Sequence, residues 1–328
     1  MPGELTTLRN IGNSCYINSI IQIIRHTQIF NDFLNNHSSI LNETKETNIL
    51  KEWNSLRETM WKQTCVVSPY RFVHYIRNGN KTGEITNNFN QQDVGEFLIM
   101  LLDEFHECLK RPVRMNISGE ARNKKDKLFI EMYAEYKTLY ENNFSELIDM
   151  FYGLQVTNIK RLNTNKILSR KIEPFSILNL AILSETSNPT TLYDCMNDYC
   201  KTEELSGDNK WYNEKTNEKE EVEIATRFIR MPKTLIISLK KYVNEKQLIT
   251  YPLQDLDMTP YVINASNKVV YELYGVCIHE GIQSYGHYYS YVKIKNKWFC
   301  FNDNMVREIK EKTVVSKSAY CLFYKRTN

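Results

Sequence analysis

The run Leu8-Arg9-Asn10-Ile11-Gly12-Asn13-Ser14-Cys15-Tyr16-Ile17-Asn18-Ser19-Ile20-Ile21-Gln22 constrains this chain more than any other stretch, because one cysteine sits where a polar loop becomes an amphipathic helix. Ile17, Ile20, Ile21 and Ile24 recur at helical spacing and need a buried face. Asn13 and Ser14 are residue types that cap helices. Cys15 is therefore expected in the first turn, over the positive end of the helix dipole, an environment that favours a cysteine thiolate. Taken alone, the stretch also fits a buried structural cysteine, the commoner fate of that residue.

The far end of the chain changes the reading. Tyr285-Gly286-His287-Tyr288-Tyr289-Ser290-Tyr291-Val292 places a histidine behind a glycine in a β-rich run, followed by Lys297-Trp298-Phe299-Cys300-Phe301-Asn302-Asp303-Asn304. An early cysteine with a distant histidine and Asn/Asp is the order of a papain-like thiol hydrolase. The two blocks together resemble the ubiquitin-specific protease family. Its cysteine box is similar to Asn10 to Gln22 and its histidine box to Tyr271 to Ile309. Further likeness lies in Glu173 to Leu180, Met231 to Lys240, Tyr251 to Tyr261 and Ser318 to Tyr324, with Lys241-Tyr242 where Arg-Phe is more usual.

With 328 residues, 42% hydrophobic and 25% charged, the chain can build a large core, as one large domain or two. A net charge of +3 gives no argument for nucleic acid or an anionic membrane. Eight cysteines without a framework predict a reducing compartment. The first 30 residues lack signal-peptide architecture, and Ile17 to Ile24 is too short and polar to span a bilayer. The box opens almost at residue 1, which predicts no targeting or adaptor domain ahead of it. The expectation is an intracellular protein, of cytoplasm or nucleus.

Periodicity predicts helices over 16–34 and 46–62, and a short one from Ser68-Pro69 to near Gly79. Phe97, Leu98, Leu101, Leu102, Phe105 and Leu109 form an apolar stripe, with Asn90 as the expected cap and Asp93 in the first turn. Residues 111–127 read as a mobile connection and 128–152 as helical. Strands follow from Gly153, a short helix at 191–200, and a charged, solvated tip at 201–223.

The resemblance implies an α+β fold: a helical thumb (1–152), a β fingers extension with part of the palm (153–230), and an antiparallel palm (231–328), in one catalytic domain. It implies Cys15 as nucleophile, His287 as base, Asn302 as orienter, Asn10 as oxyanion donor and Asp303 as its support. It places the ubiquitin tail against Gln92, Asp93, Glu96, Gly281, Tyr285, Gly286 and Tyr288. Acids at a helix start also arise from the dipole alone, and Gly95 stands where the family usually has Gln. Gly281 and Gly286 are expected to flank a loop that closes over a narrow channel. A hairpin turning at Lys295-Asn296 sets Asn302 on the face of His287. A turn centred half a residue later would select Asp303, and the family pattern breaks that tie in favour of Asn302.

Relatives commonly bind zinc through two Cys-x-x-Cys pairs in the fingers. Those positions fall here near Asn158 and Arg161, and near Asn213 and Thr216, so no metal or other cofactor is expected. Cys195 and Cys200 have no second pair. The expected activity is hydrolysis at the terminal glycine of ubiquitin, with ubiquitin and ubiquitinated proteins as partners. The alternatives are a catalytically weak ubiquitin-binding module, a protease for another ubiquitin-like modifier, and a peptidase sharing only the triad.

Overall fold

Helix α1 (Cys15–Ile24) is buried along its whole length. Its isoleucines supply the apolar sides, and its three polar side chains are each claimed by a partner. Asn18 donates to Asp303, Ser19 to the Tyr16 carbonyl, and Gln22 to the Thr6 carbonyl. A central helix with polar residues needs such partners for its buried donors, and all three donors have one, although Asn18 Oδ1 has none among the described residues. The computed structural model describes residues 2–37, 48–78, 92–164, 166–182, 190–240, 247–263, 265, 267–282 and 285–328.

The helix expected over 16–34 is two helices, α1 and α2 (Gln28–Asn36). Thr27 breaks it with an extended backbone, φ −75° and ψ 97°. Its hydroxyl pairs with Tyr274 Oη at 2.7 Å, a buried tertiary bond that local periodicity does not foresee. Asn31 Nδ2 then donates to the carbonyls of Arg25 and Thr27. Helix α3 (Ile49–Lys62) starts at Asn48, whose side chain accepts from Lys51 N–H, and α4 (Tyr70–Asn78) follows Pro69. Its expected end near Gly79 lies outside the described residues. Helix α5 (Val94–Leu109) carries the predicted apolar stripe inward. The helical run expected at 128–152 is α6 (Lys124–Tyr140) and α7 (Glu146–Phe151), parted where Phe144 bridges to Arg111.

Strands β1 (Thr7–Leu8) and β2 (Val66–Val67) pair in parallel beside α1. Strands β3 (Gly153–Arg161) and β4 (Ile167–Phe175) open the fingers, and β5 (Leu178–Ala181) enters the palm. After β6 (Thr190–Thr191), a Thr191–Asp194 capping box starts α8 (Leu192–Tyr199). The charged stretch folds as β7 (Glu203–Leu205), β8 (Trp211–Asn213) and β9 (Glu218–Glu220), before β10 (Val222–Arg230) returns. The fingers sheet runs β4-β3-β10-β7.

The palm adds β11 (Thr234–Lys240), β12 (Ile249–Thr250), β13 (Leu256–Asp257), β14 (Val270–Ile282), β15 (Tyr285–Ile294), β16 (Lys297–Asn302), β17 (Met305–Ile309) and β18 (Ala319–Arg326). Its order is β17-β16-β15-β14-β18-β11-β5, with β13 on β14 and β12 pairing with β6 outside it. The palm is not wholly antiparallel, because β5 joins β11 in parallel. One palm face packs on the thumb through Tyr274, Cys277, Tyr288, Val292, Phe301 and Phe323. The other meets α8 through Leu192 and Met196. Sheet and helix α1 together hold the two ends of the chain side by side. Lys241-Tyr242 lies outside the described residues.

Candidate active site

The loop before α1 is shaped by its own polar side chains. Gly12 (φ 92°) and Asn13 (φ 45°) both adopt left-handed backbone, which glycine and asparagine tolerate best. Asn10 Oδ1 accepts from the N–H groups of Gly12 and Ser14, at 3.1 and 3.4 Å. Ser14 stands at the N-cap position, but its hydroxyl turns back to accept from Ile11 N–H at 2.9 Å and makes no cap bond. Expected as a cap, it instead folds the loop. Arg77 of α4 donates from Nη2 to the Gly12 carbonyl at 2.5 Å. Cys15 begins the helix and is 4% exposed.

Strands β15 and β16 pair with Ser290 opposite Phe301 and Ile294 opposite Lys297. Continuing that register sets Asn302 opposite Tyr289 and diagonal to His287, the parity that a turn at Lys295-Asn296 predicts. Lys295 takes φ 55° at that turn. His287 Nε2–H donates to Asn302 Oδ1 at 2.7 Å, which leaves Nδ1 for the thiol. The hydrogen bond to Cys15 raises the His287 pKa, outweighing the lowering by burial, and the Asn302 bond and the Asp303 charge add to it. Together they push the imidazole up to about 9. An imidazole so poised stays protonated beside a cysteine, the form a thiolate–imidazolium pair needs.

Asp303 follows at φ 47°. Its two oxygens accept from Asn10 Nδ2 at 2.9 Å and Asn18 Nδ2 at 2.8 Å. The structure therefore brings Cys15, His287, Asn302, Asn10 and Asp303 into one cluster. Nothing in the motif reading singled out Asn18. The signal was available, since an asparagine three residues after Cys15 on an apolar helix needs a partner.

The residues expected around a substrate tail divide. Gln92 is half-buried just before α5. Asp93 is itself the N-cap, accepting from Gly95 N–H and Glu96 N–H, and its second oxygen accepts from Tyr320 Oη. It is not a first-turn acid presented with Glu96: its carboxylate is turned to its own helix and to β18. Glu96 is exposed. Asn90 and Gln91 lie outside the described residues. Gly281 and Gly286 pair with each other within β14 and β15, which run on to Ile282 and Tyr285, and the expected loop extends to Gln283 and Ser284, outside the described residues. A Cβ on Gly286 would meet His279 Nε2 at 2.3 Å, so packing demands that glycine. Tyr288 is 4% exposed and packs against His279 and Tyr320, so it belongs to the core.

The four finger positions do not make a metal site. Arg161 Nε donates to Glu220 at 2.7 Å, and Asn213 Nδ2 donates to the other Glu220 oxygen at 2.6 Å. A guanidinium and amide nitrogens do not supply zinc ligands. Among the described residues no group of three or more His, Cys, Asp or Glu could hold a metal ion.

The structure thus sets a buried cysteine at a helix start beside a histidine that is held by an asparagine. The family model described as "Ubiquitin carboxyl-terminal hydrolase" matches residues 6–324, and the chain belongs to that family. It is 32% identical over 334 residues to "Ubiquitin carboxyl-terminal hydrolase Usp2" of Drosophila melanogaster, covering 98% of this chain and 35% of that protein. It is 30% identical over 361 residues to "Ubiquitin carboxyl-terminal hydrolase 4" of Saccharomyces cerevisiae, covering 97% of this chain and 39% of that one. The chain thus spans little more than a third of these relatives. In fold it is similar to the Ubp8 SAGA DUB module with Sgf11, Sus1 and Sgf73 bound to monoubiquitin, with a TM-score of 0.75, 21% identity, and coverage of 99% of this chain and 70% of that one.

Proposed function

We propose that the chain is a thiol-dependent ubiquitinyl hydrolase, cleaving isopeptide or peptide bonds at the C-terminal glycine of ubiquitin on ubiquitinated proteins. The observation that carries the reading is the His287 imidazole, bonded to Cys15 on one side and to Asn302 on the other. Family membership supplies the substrate class. The Cys15 sulfur attacks the glycyl carbonyl and forms a thioester, while His287 gives its proton to the departing amine. His287 then takes a proton from water, whose oxygen attacks the thioester and releases the glycine carboxylate and the thiolate. Asn10, beside the start of α1, is the side chain placed to donate to the oxyanion with Cys15 N–H, for a donor of this kind roughly 10²–10³ in rate. Asp303 anchors that amide.

All eight cysteines stand outside any disulfide, which supports a reducing intracellular compartment, cytoplasm or nucleus. No helix among the described residues is long and apolar enough to cross a membrane. The test is reaction with ubiquitin carrying a C-terminal electrophile, followed by peptide mapping. The adduct is expected on Cys15, and Cys15→Ala is expected to lose turnover by roughly 10⁶ while still binding ubiquitin. An adduct on Cys65 or Cys195 would overturn the assignment.

A further inference from the structure

Arg25 is fully buried, one residue past the end of α1. A buried guanidinium is costly unless its donors are satisfied, and here each of its three nitrogens has an acceptor, two on the N-terminal segment and one on α1. Nη1 donates to the Gly3 carbonyl at 3.1 Å and Nη2 to the Glu4 carbonyl at 2.5 Å. Nε donates to Gln22 Oε1 at 2.9 Å, and Gln22 Nε2 donates to the Thr6 carbonyl at 3.0 Å. The cation lies over Trp61 at 4.7 Å, with the Phe301 ring at 6.0 Å. Arg25 and Gln22 thus gather three carbonyls of a strap formed by residues 3–8.

The other end of the strap holds the turn that carries the site. Leu8 N–H donates to the Asp303 carbonyl at 3.1 Å, and Thr7 Oγ1 donates to the Asn304 carbonyl at 3.2 Å. That turn contains Asp303 in left-handed backbone, a conformation that persists only when its surroundings impose it. Asn302 precedes it, and Phe301, just before Asn302, packs on His26. The strap is also tied to the β15–β16 turn by Glu4 and Lys295 at 3.1 Å, a mostly exposed pair of little weight.

We propose that Arg25 is a positioning residue for the hydrolase, setting the Asn302–Asp303 turn through the strap and so fixing the orientation of His287. The proposal rests on the proposed function only for the choice of substrate. The site it acts on is defined by geometry. A lysine keeps the charge but offers a compact ammonium in place of the fork, so it cannot serve Gly3, Glu4 and Gln22 together.

The test compares the parent protein, Arg25→Lys and Thr7→Val. Two readouts are followed: turnover of a ubiquitin C-terminal amide, and the rate of Cys15 alkylation by chloroacetamide against pH. The second needs no ubiquitin, so it decides the proposal even if the substrate reading fails. Among the described residues Cys15, Asn302, Asp303, Tyr289 and, across the ladder, Glu280 face His287. Arg25→Lys is expected to lower kcat about tenfold, within the cost of a small misplacement, with KM within about twofold. Its alkaline alkylation limb should move below that of the parent, because the Asn302 bond that helps keep His287 protonated is weakened. Thr7→Val leaves the Arg25 cluster whole and cuts one strap–turn bond. It should move both readouts the same way by roughly two- to threefold, and the double variant should fall short of the product. A purely structural role would lower the folded fraction, seen in urea titration, and leave the alkylation profile unchanged. That outcome, or parent-like kcat in both variants, would overturn the proposal.

Discussion

Two carboxylates in different parts of the molecule do the same local work to different ends. In the cleft, Asp303 accepts from Asn10 and Asn18. In the fingers, Glu220 accepts from Arg161 and Asn213. Each oxygen of each carboxylate is taken by a side chain of another segment, Asn213 coming from the neighbouring strand β8 only seven residues away, so each is a staple between elements. The cleft staple is backed by an apolar core on both palm faces. It therefore adds little to stability that packing does not already supply, and its effect is to place two amides. The finger strands β3 and β4 are mostly half-buried, and there a polar cluster has to supply what a core does not. The lesson is that a satisfied carboxylate is read by what its partners do.

The comparison sharpens most at the residue beside the cleft staple. Asn302→Ala is expected to lower kcat by roughly 10–10²-fold, the cost of a misoriented base, with little change in melting temperature. The pH profile gives the independent check. The His287 pKa is raised in the folded protein, to about 9. The stability linked to its protonation is therefore full below the unfolded value near 6.5 and fades as pH rises through about 9. Removing Asn302 takes away one raising cause, so the alkaline limb of kcat/KM should move toward neutral. Asp303→Ala should cut kcat about tenfold by freeing Asn10 and Asn18, with a smaller shift of that limb, because its charge is the last of the causes acting on His287. A silent Asn302→Ala beside a crippling Asp303→Ala would reverse the roles.

A smaller effect separates the two acids at the start of α5. Asp93→Ala removes a cap and one hydrogen bond of the Tyr320 hydroxyl, and should cost about 2 kcal/mol of stability. Glu96→Lys should leave the melting temperature alone and raise KM for ubiquitin substrates several-fold, since an exposed acid there meets basic substrate groups by a uniform binding effect. If Glu96→Lys instead lowers kcat at unchanged KM, the acid serves the chemistry.

How much of this was legible follows from where each signal lives. The helix carrying Cys15 and the β15–β16 hairpin come from local periodicity and one turn, both written in consecutive residues, whereas the choice of Asn302 over Asp303 needed the family pattern as well. The break at Thr27 was not legible, because its cause is Tyr274, far along the chain. The cap of α5 lies three residues beyond the expected Asn90, at Asp93, whose partner Tyr320 is on the last palm strand. Arg25 and Asn18 could have been flagged as polar residues on a helix otherwise bound for the core. Their partners, the strap carbonyls and Asp303, are set only by the tertiary fold.

The smallest effect tests the finger staple itself. Both Glu220 and Asn213 are nearly buried, 8% and 6% exposed, in a region otherwise rich in exposed charge. The Asn213 hydrogen bond and then the Arg161 bond hold the Glu220 carboxyl below its usual range. A group lowered in this way contributes stability that is present above its unfolded pKa near 4.5 and is lost as pH falls through the folded value. Arg161 is itself 44% exposed, so solvent screens the pair and the contribution is small. Glu220→Gln should therefore lower the melting temperature by only about 1–2 °C at pH 7, and the difference from the parent should close as pH falls from about 4.5 through the lowered folded value. Moderate salt should shrink it further, and kcat should not change. Chelators should leave both proteins' melting temperatures where they are, because the stapling groups are a carboxylate, an amide and a guanidinium. A chelator-sensitive transition, or about one zinc per chain by elemental analysis, would show that the fingers are held by a metal and that the likeness between the two staples is only apparent.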